Sequence, residues 1–431
     1  MLKADKNFFA RRVLAQARHL NFNTVLAYPL GPLPWALAST DGSLGKTNKA
    51  RLLRLLEADT SPVENVPPAV WLVDGMALLQ ALPTGECETF ANISKLVLRQ
   101  VLSAHHCRAG RVDLVMDCYR AGSIQSLERE RRSGSDGGVC IRITNRQQKC
   151  PRQWSRYLRV SQNKDDLVRF LVDEWKRPEY AELFLQSQCM LYVSAAKCFK
   201  FCAVIRNGKS EILCEAVPDL DSIREEADTR LLLHAEHAAR HGAEVVVVQS
   251  PDTDVAVIAC AVANTIPARI LFRTGTQHHT RFVDISFLSD KLGSIRDALI
   301  GFHALTGCDT TSAFVGRGKA TGFKLLKEED HQSALALFGN SFNPSQEVFV
   351  KCESFACAMY GRPDCDCIND VRYWLFSTKA CHSSQLPPCQ DSLKFHVLQA
   401  NYQAAVWKRS LVSNPVIPSP VVAGKLSQMD L

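Results

Sequence analysis

Glu244-Val245-Val246-Val247-Val248-Gln249-Ser250-Pro251-Asp252-Thr253-Asp254 is a run of four valines that ends in two acidic residues. The valines predict a buried β-strand, because short runs of β-branched residues favour the interior of a sheet. The two carboxylates follow at the end of that strand, where open α/β sheets bind their ligands. Converging carboxylates repel each other, and a hard divalent cation between them removes the repulsion. The alternative is structural: Ser250 and Asp252 cap the next helix, and Asp254 is solvated.

Composition sets limits on the class of protein. The chain has 431 residues, 46% hydrophobic and 22% charged, which predicts a substantial folded core. Its net charge of +7 is compatible with a nucleic-acid partner. No apolar run reaches the length of a membrane span and the N-terminus lacks a signal-peptide core, so we expect no membrane partner. The 17 cysteines then indicate reduced thiols in the nucleus or cytoplasm, with the nucleus favoured.

Two earlier segments repeat the pattern of a strand that ends in a carboxylate. Ala69–Val73 precedes Asp74, and Arg111–Met116 precedes Asp117, with a helical pattern between the two segments. A strand, a crossover helix and a strand form a parallel unit whose two carboxyl ends lie at one edge. Asp74 and Asp117 are therefore predicted to be neighbours, unless they are unrelated turn residues.

Three further acidic residues complete the predicted set. Glu226 and Asp228 open a long helix, although the helix dipole alone explains acidic residues there. Asp309 follows the helical segment Ile295–Leu305. Caps would use serine, threonine and asparagine as readily, so a set made only of carboxylates favours an oxygen-rich site for Mg²⁺ or Mn²⁺. Two such ions activate a water and stabilise the leaving oxygen of a phosphodiester. The candidate catalytic and metal-binding residues are Asp74, Asp117, Glu226, Asp228, Asp252, Asp254 and Asp309.

Basic segments supply candidate nucleic-acid contacts. The region after Asp117 is rich in arginine, and a later part of it interleaves arginines with Trp154 and Tyr157, as a phosphate-backbone clamp would. A solvated surface has a similar composition. Further on, a glycine turn precedes a basic helix and presents N–H groups suited to phosphate, or is an ordinary turn. The candidate nucleic-acid-binding residues are Arg129, Arg131, Arg132, Gly316, Arg317, Gly318 and Lys319.

The order and spacing of these motifs over residues 69–330 resemble the flap endonuclease/XPG-like 5′ nucleases of the PIN-like superfamily. The stretch 225–319 is also similar to uncharacterised animal proteins that accompany mobile elements. Two departures are a segment of about seventy residues before the first strand and a shorter, less regular glycine turn. The motifs that carry the resemblance are Leu72-Val73-Asp74-Gly75, Leu114-Val115-Met116-Asp117, Glu226-Ala227-Asp228, Ser250-Pro251-Asp252-Thr253-Asp254, Leu305-Thr306-Gly307-Cys308-Asp309 and Gly316-Arg317-Gly318-Lys319.

The resemblance implies two metal ions with separate ligand sets. Asp74, Asp117 and Glu226 would serve one ion, and Asp252, Asp254 and Asp309 would serve the other. Asp228 would lie between the two. The implied activity is divalent-metal-dependent hydrolysis of phosphodiester bonds in structured or single-stranded DNA. Two alternatives stay open, a catalytically inactive nuclease-derived module that binds nucleic acid or protein, and a PIN-type RNA endonuclease.

The predicted fold class is α/β, a PIN-like, mostly parallel central sheet flanked by helices. We expect an N-terminal extension (residues 1–65), a nuclease-like domain (66–330) with an arch-like insertion (118–215), a helical C-terminal region (331–412) and a tail (413–431). In the C-terminal third, the cysteine spacing fits no known zinc framework, so buried thiols are favoured over a zinc site. Apolar residues from Leu393 to Trp407 recur at helical spacing and predict a helix that packs on the core.

Overall fold

The computed structural model describes residues 22–58, 60–118, 139–276, 279–378 and 385–418. These residues form a mixed α/β fold with an eight-stranded, mostly parallel central sheet flanked by helices, which confirms the predicted fold class. No helix in these ranges is long and apolar enough to cross a membrane. The strands are β1 Val70–Asp74, β2 Arg111–Val115, β3 Met190–Ser194, β4 Cys198–Arg206, β5 Lys209–Ala216, β6 Val245–Gln249, β7 Arg269–Thr276 and β8 His279–Asp284.

Helices occur throughout the described chain. They are α1 Phe22–Leu26, α2 Ala50–Glu57, α3 Gly75–Gln80, α4 Phe90–Val101, α5 Trp154–Tyr157, α6 Ser161–Glu174, α7 Ala181–Ser187, α8 Ala227–Arg240, α9 Thr253–Val262, α10 Ile285–Leu292, α11 Ile295–Leu305, α12 Lys319–Leu325, α13 Glu329–Ala336, α14 Gln346–Met359, α15 Ile368–Thr378 and α16 Gln390–Lys408. Single 3₁₀ turns connect several of them.

The described residues divide into two compact units. A sheet unit comprises residues 60–291 and 409–416, and a helical unit comprises residues 22–58, 292–408 and 417–418. The chain therefore divides near residue 291, whereas the sequence analysis placed a boundary at 330. The physical reason is that α11 packs against α13 and α16 within the helical unit.

The strand order in the sheet unit is β5-β4-β3-β2-β1-β6-β7-β8. The five strands from β3 to β7 in this order are mutually parallel, and β4, β5 and β8 are antiparallel additions. Val73 of β1 pairs with Leu114 of β2 and with Gln249 of β6. The carboxyl ends of these three central strands are therefore level with one another at one edge of the sheet.

Local sequence explains the elements around β1. All five residues of β1 are buried, as a central parallel strand requires. A capping box starts α4, because Asn92 N–H donates to Thr89 Oγ1 and Thr89 N–H donates to Asn92 Oδ1. Ile93 and Val97 on the inner face of that helix are buried in the core. The β4–β5 hairpin turns at Asn207 and Gly208, both with positive φ, as is typical of an Asn-Gly turn.

The segment predicted as an arch-like insertion contributes to the central sheet. Residues 139–215 form α5, α6, α7 and most of β3–β5, so this part is integral to the sheet unit. The two aromatic residues of the predicted phosphate-backbone clamp lie in the interior of this unit. Trp154 is buried and its Nε1–H donates to the Leu79 carbonyl at 2.7 Å, while the Tyr157 hydroxyl donates to the Asn163 carbonyl at 3.1 Å. Neither ring is available to stack on a base.

A buried ion network that the sequence analysis did not identify joins β2 to α8. The Arg111 guanidinium donates to both oxygens of Asp113 at 2.7 Å, and His234 Nδ1–H donates to the same carboxylate at 2.6 Å. Asp113 and His234 are fully buried. The carboxylate is desolvated, but the Arg111 charge and these hydrogen bonds outweigh that cost and lower the pKa of Asp113 to about 2.

This network predicts a loss of stability in acid. The folded-state pKa of Asp113 lies below its unfolded value near 3.9, so its contribution is present above about pH 4 and is lost as pH falls towards 2. We expect the difference in unfolding free energy between the wild type and Asp113→Asn to shrink by about 2–3 kcal/mol over that interval. Urea titrations at several pH values measure this difference. A difference that is independent of pH would contradict the assignment.

The helical unit confirms the predicted packing helix. On α16, Leu393, Val397 and Ala400 are buried, as are Ala404 and Trp407 one and two turns later. Phe395 on the same helix reaches solvent and is 48% exposed. Among the described residues of the C-terminal third, the cysteines form no disulfide bonds. Several of their side chains, such as those of Cys352 and Cys357, are fully buried. Cys381 and His382 lie outside the described residues.

Candidate metal centre

Four of the predicted carboxylates lie at the sheet edge that is formed by the carboxyl ends of β1, β2 and β6. Asp74 is the last residue of β1, and Asp117 lies two residues beyond β2. Asp252 lies three residues beyond β6, and Asp254 is in the first turn of α9. Because these parallel strands end at the same level, the four side chains come from one edge, as the sequence analysis expected.

Asp74 is held in place by two hydrogen bonds. Its Oδ1 accepts from the Ala77 N–H at 3.0 Å, which caps α3, and its Oδ2 accepts from the Ser250 hydroxyl at 3.0 Å. The residue is 8% exposed. Burial raises the pKa of Asp74 to about 6, and the charges of Asp117 and Asp252 add to the effect. The ionised form of Asp74 is therefore destabilised near neutral pH, because the side chain is buried and its neighbours are acidic.

The start of α8 adds two more carboxylates beside Asp117. Glu226 is the residue immediately before the helix, and Asp228 is its second residue. Asp117 Oδ1 accepts from the Ala227 N–H at 3.0 Å, which ties the end of β2 to the start of α8. This contact spans 110 residues of sequence, and it is the step that brings the acidic-Ala-acidic motif to the edge of the sheet.

Asp252 acts as a helix cap and also as a member of the acidic group. Its Oδ1 accepts from the Asp254 N–H at 2.9 Å, and its own N–H donates to Ser250 Oγ at 3.1 Å. The structural alternative from the sequence is therefore right about the cap of α9. It is wrong about Asp254, which is only 3% exposed. An oxygen of Asp252 lies within 4.8 Å of an oxygen of Asp254, so the cap does not prevent convergence.

Mutual repulsion within the group is strongest at Asp228. Burial raises the pKa of Asp228 well above its ordinary value. The charges of four neighbours raise it further, and these are Glu226, Asp252, Asp254 and Asp74. The sheet unit thus gathers six of the seven predicted carboxylates into one electrostatically coupled group, which we call the acidic cluster: Asp74, Asp117, Glu226, Asp228, Asp252 and Asp254.

Asp309, the seventh predicted ligand, belongs to the helical unit. Its side chain is 53% exposed, and an oxygen lies 3.0 Å from the Lys49 ammonium of the same unit. The residue follows α11 in the loop 306–318, as the sequence indicated. Its role as a metal ligand stays a prediction.

The predicted nucleic-acid contacts have different outcomes. Arg129, Arg131 and Arg132 lie outside the described residues. Gly316 has a positive φ and Gly318 precedes α12, so the predicted glycine turn before a helix is present. The prediction for Lys319 is wrong, because its side chain is buried and its ammonium donates to the His303 carbonyl and to Thr306 Oγ1, both at 3.0 Å. This lysine holds the end of α11.

Arg317 is the remaining basic residue of that turn. Its guanidinium carbon lies 5.2 Å from the centre of the Tyr360 ring in the helical unit. Its side chain therefore packs partly on an aromatic face. A phosphate contact by Arg317 stays a prediction.

Sequence reasoning missed two residues beside the acidic cluster. Asp165 on α6 is half-buried, and burial together with neighbouring acidic charges, Asp117 among them, raises the pKa of its carboxyl to about 6. Arg230 on α8 is fully buried and donates to the carbonyls of Met116 and Ala195. Neither follows a strand end, so the pattern of strands ending in carboxylates could not find them. The position of Arg230 in the first turn of α8, two residues after Asp228, was the available signal.

The donor chemistry of the acidic cluster fits a hard divalent cation. All of its side-chain donors are carboxylate oxygens, which suit Mg²⁺, Mn²⁺ or Ca²⁺ better than zinc or copper. A cation would relieve the repulsion that raises the pKa values of Asp74 and Asp228. Acidic residues of this site could therefore hold a metal ion.

Comparison with known proteins leaves the resemblance to 5′ nucleases as a prediction that rests on the motifs quoted above. No protein-family model matches this sequence, and no curated protein matches it.

Proposed function

We propose that this protein is a divalent-metal-dependent nuclease that hydrolyses phosphodiester bonds of DNA. The observation that carries the proposal is the convergence of the acidic cluster on one edge of the sheet, where Asp117 is bonded to the start of α8 and Asp74 to Ser250. Such an arrangement is costly in the metal-free protein, and bound cations offset the cost. Perturbed carboxylates gathered at a strand edge are typical of functional sites.

The acidic cluster supplies the metal ligands in this proposal. Asp74, Asp117 and Glu226 hold one ion, Asp252 and Asp254 hold a second, and Asp228 lies between the two. Bound Mg²⁺ or Mn²⁺ would lower the pKa of a water molecule for attack on phosphorus and would stabilise the leaving oxygen.

The chain itself orients the ligands before an ion binds. Asp74, Asp117 and Asp252 each direct one carboxylate oxygen to a backbone N–H, at distances between 2.9 and 3.0 Å. The Ser250 hydroxyl fixes the other oxygen of Asp74. These hydrogen bonds orient the carboxylates before the reaction begins. No free energy is then needed to reorganise them during the reaction, which is how preorganised sites accelerate a reaction.

The test is a comparison of substrates with and without metal. Flap, hairpin and single-stranded DNA, and single-stranded RNA, are incubated with the full chain in EDTA, Mg²⁺ or Mn²⁺. We expect cleavage of at least one DNA substrate in metal and none in EDTA. Cleavage of RNA alone would move the activity to the RNA endonuclease alternative. Salt-sensitive DNA binding without turnover in any metal would favour a binding module and would refute the proposal.

A further inference from the structure

A cavity of about 460 Å³ lies beside the acidic cluster in the sheet unit. One wall is a stripe of α6 that runs at helical spacing from Asp165 through Val168, Arg169 and Val172. The other wall is the turn between β3 and β4, with Ala196 and Phe199 among its residues. The volume is within the range of small-molecule sites.

The lining combines an apolar interior with charged side chains of both signs, because Asp117, Asp165 and Asp173 line it together with three basic residues. Val168 is buried and Phe199 is half-buried, so the interior offers aliphatic and aromatic surface. Arg169, Lys176 and Lys197 are exposed members of the lining. Arg169 pairs with Asp166 at 3.5 Å and Lys176 pairs with Asp173 at 2.8 Å, whereas Lys197 forms no ion pair with the described residues. The Lys176 ammonium also lies over the Phe199 ring, 5.7 Å from its centre. Apolar surface beside Lys197 fits a ligand that has a flat hydrophobic part and an anionic part.

The cavity is connected to the acidic cluster through shared residues. Asp117, assigned above to the metal centre, also lines the cavity, as does the adjacent Cys118. A ligand in the cavity therefore lies next to a group bound at the metal centre. If the ligand is a nucleic-acid strand, one nucleotide would occupy the cavity and the neighbouring nucleotide would lie at the metal centre.

Arg230 lies behind the cavity wall and contacts two of the lining residues, Cys118 and Ala195. Its guanidinium donates to the carbonyls of Met116 and Ala195, and it donates to Cys118 Sγ at 3.2 Å. These contacts join the ends of β2 and β3, so the cavity is built on rigid strand ends.

We infer that this cavity binds one nucleotide of the substrate strand, with the base against Val168, Val172 and Phe199 and the phosphate near Lys197. The inference rests on the proposed function, because the bound nucleotide is taken to adjoin the one whose phosphodiester is cleaved. Acidic ligands that lack a flat base would lose the apolar contacts. Neutral nucleosides would lose the contact with the basic groups.

The test measures binding of deoxythymidine 5′-monophosphate to the full chain by calorimetry in EDTA. We expect Ala196→Trp to weaken binding at least about 10-fold, since the new ring fills the cavity from an exposed position. Lys197→Glu should weaken it about 3- to 10-fold at low salt and less at high salt. Deoxyribose 5-phosphate and thymidine should each bind at least about 10-fold more weakly than the nucleotide. The matched control is Ile205→Trp, which adds an exposed ring at the far end of β4.

Three results would overturn the inference: no saturable nucleotide binding by the wild type, unchanged binding by Ala196→Trp, or equal affinity for the sugar phosphate. Because no metal is present, these results do not depend on cleavage. A chain that binds the nucleotide but cleaves nothing would refute the proposed function and keep the cavity assignment. In an active chain, Ala196→Trp should raise KM at least about 10-fold with little change in kcat.

Discussion

Asp252→Asn should reduce metal-dependent cleavage by at least about 1,000-fold, equivalent to about 4 kcal/mol of transition-state stabilisation. The substitution removes a charge from the acidic cluster without removing the local hydrogen bond. The Asn side-chain oxygen can still accept from the Asp254 N–H, which the Asp252 carboxylate does at 2.9 Å. The cap of α9 is therefore kept, and the loss reports on the charge. Initial rates at saturating Mg²⁺, with unfolding curves for both proteins, measure the effect.

The control for this experiment is Asp290→Asn, which removes an exposed carboxylate of α10 in the same unit. Its rate should equal that of the wild type. Asp254→Asn tests the buried partner of Asp252 and should also lose activity. Metal-dependent cleavage that survives the loss of both Asp252 and Asp254 would remove the acidic cluster from the mechanism.

The sheet could be predicted from sequence because its strands are signalled locally. Four valines in a row at β6 indicate a strand buried on both faces. The Asn207-Gly208 pair indicates the β4–β5 turn. What the sequence could not show is that residues after 139 return to the sheet as β3–β5. Their arginines indicated a nucleic-acid clamp, yet Arg146 forms ion pairs with Glu174 and Glu179 within the unit. Composition does not distinguish arginines on a nucleic-acid-binding surface from arginines that form ion pairs within the fold.

The acidic cluster could be predicted for a related reason. Strand direction and strand ends are readable from sequence, and parallel strands bring their carboxyl ends to one edge. The buried polar contacts were not readable, since they depend on tertiary packing. Lys319 lies in a glycine turn typical of phosphate binding, and only the fold shows its ammonium turned towards Thr306. Asp113 alternates with apolar residues on β2, and nothing in its neighbourhood signals the distant His234.

Metal should stabilise the folded wild type strongly, and Asp228→Asn should remove most of that gain. At a free Mn²⁺ or Mg²⁺ concentration about 1,000 times Kd, binding to the native state alone adds about 4 kcal/mol to the unfolding free energy. Without metal, we expect Asp228→Asn to be more stable than the wild type. Asn at position 228 cannot ionise beside Glu226, Asp252, Asp254 and Asp74, so the metal-free variant should unfold at a higher temperature than the metal-free wild type, by about 2–4 °C for each kcal/mol of repulsion that is relieved. Thermal unfolding in EDTA and across a metal titration measures both shifts.

The pH dependence of the same thermal unfolding experiment distinguishes charge repulsion within the acidic cluster from a change in packing. The folded-state pKa of Asp74 is raised from 3.8 to about 6, so its contribution to stability is present below about pH 4 and is lost as pH rises through 6. That loss is about 3 kcal/mol for a shift of this size. Metal-free wild type should therefore lose stability between about pH 4 and 7, and metal should restore it at pH 7 more than at pH 4. A metal effect that is equal at both pH values, or that is kept in Asp228→Asn, would show that the ion binds outside the acidic cluster.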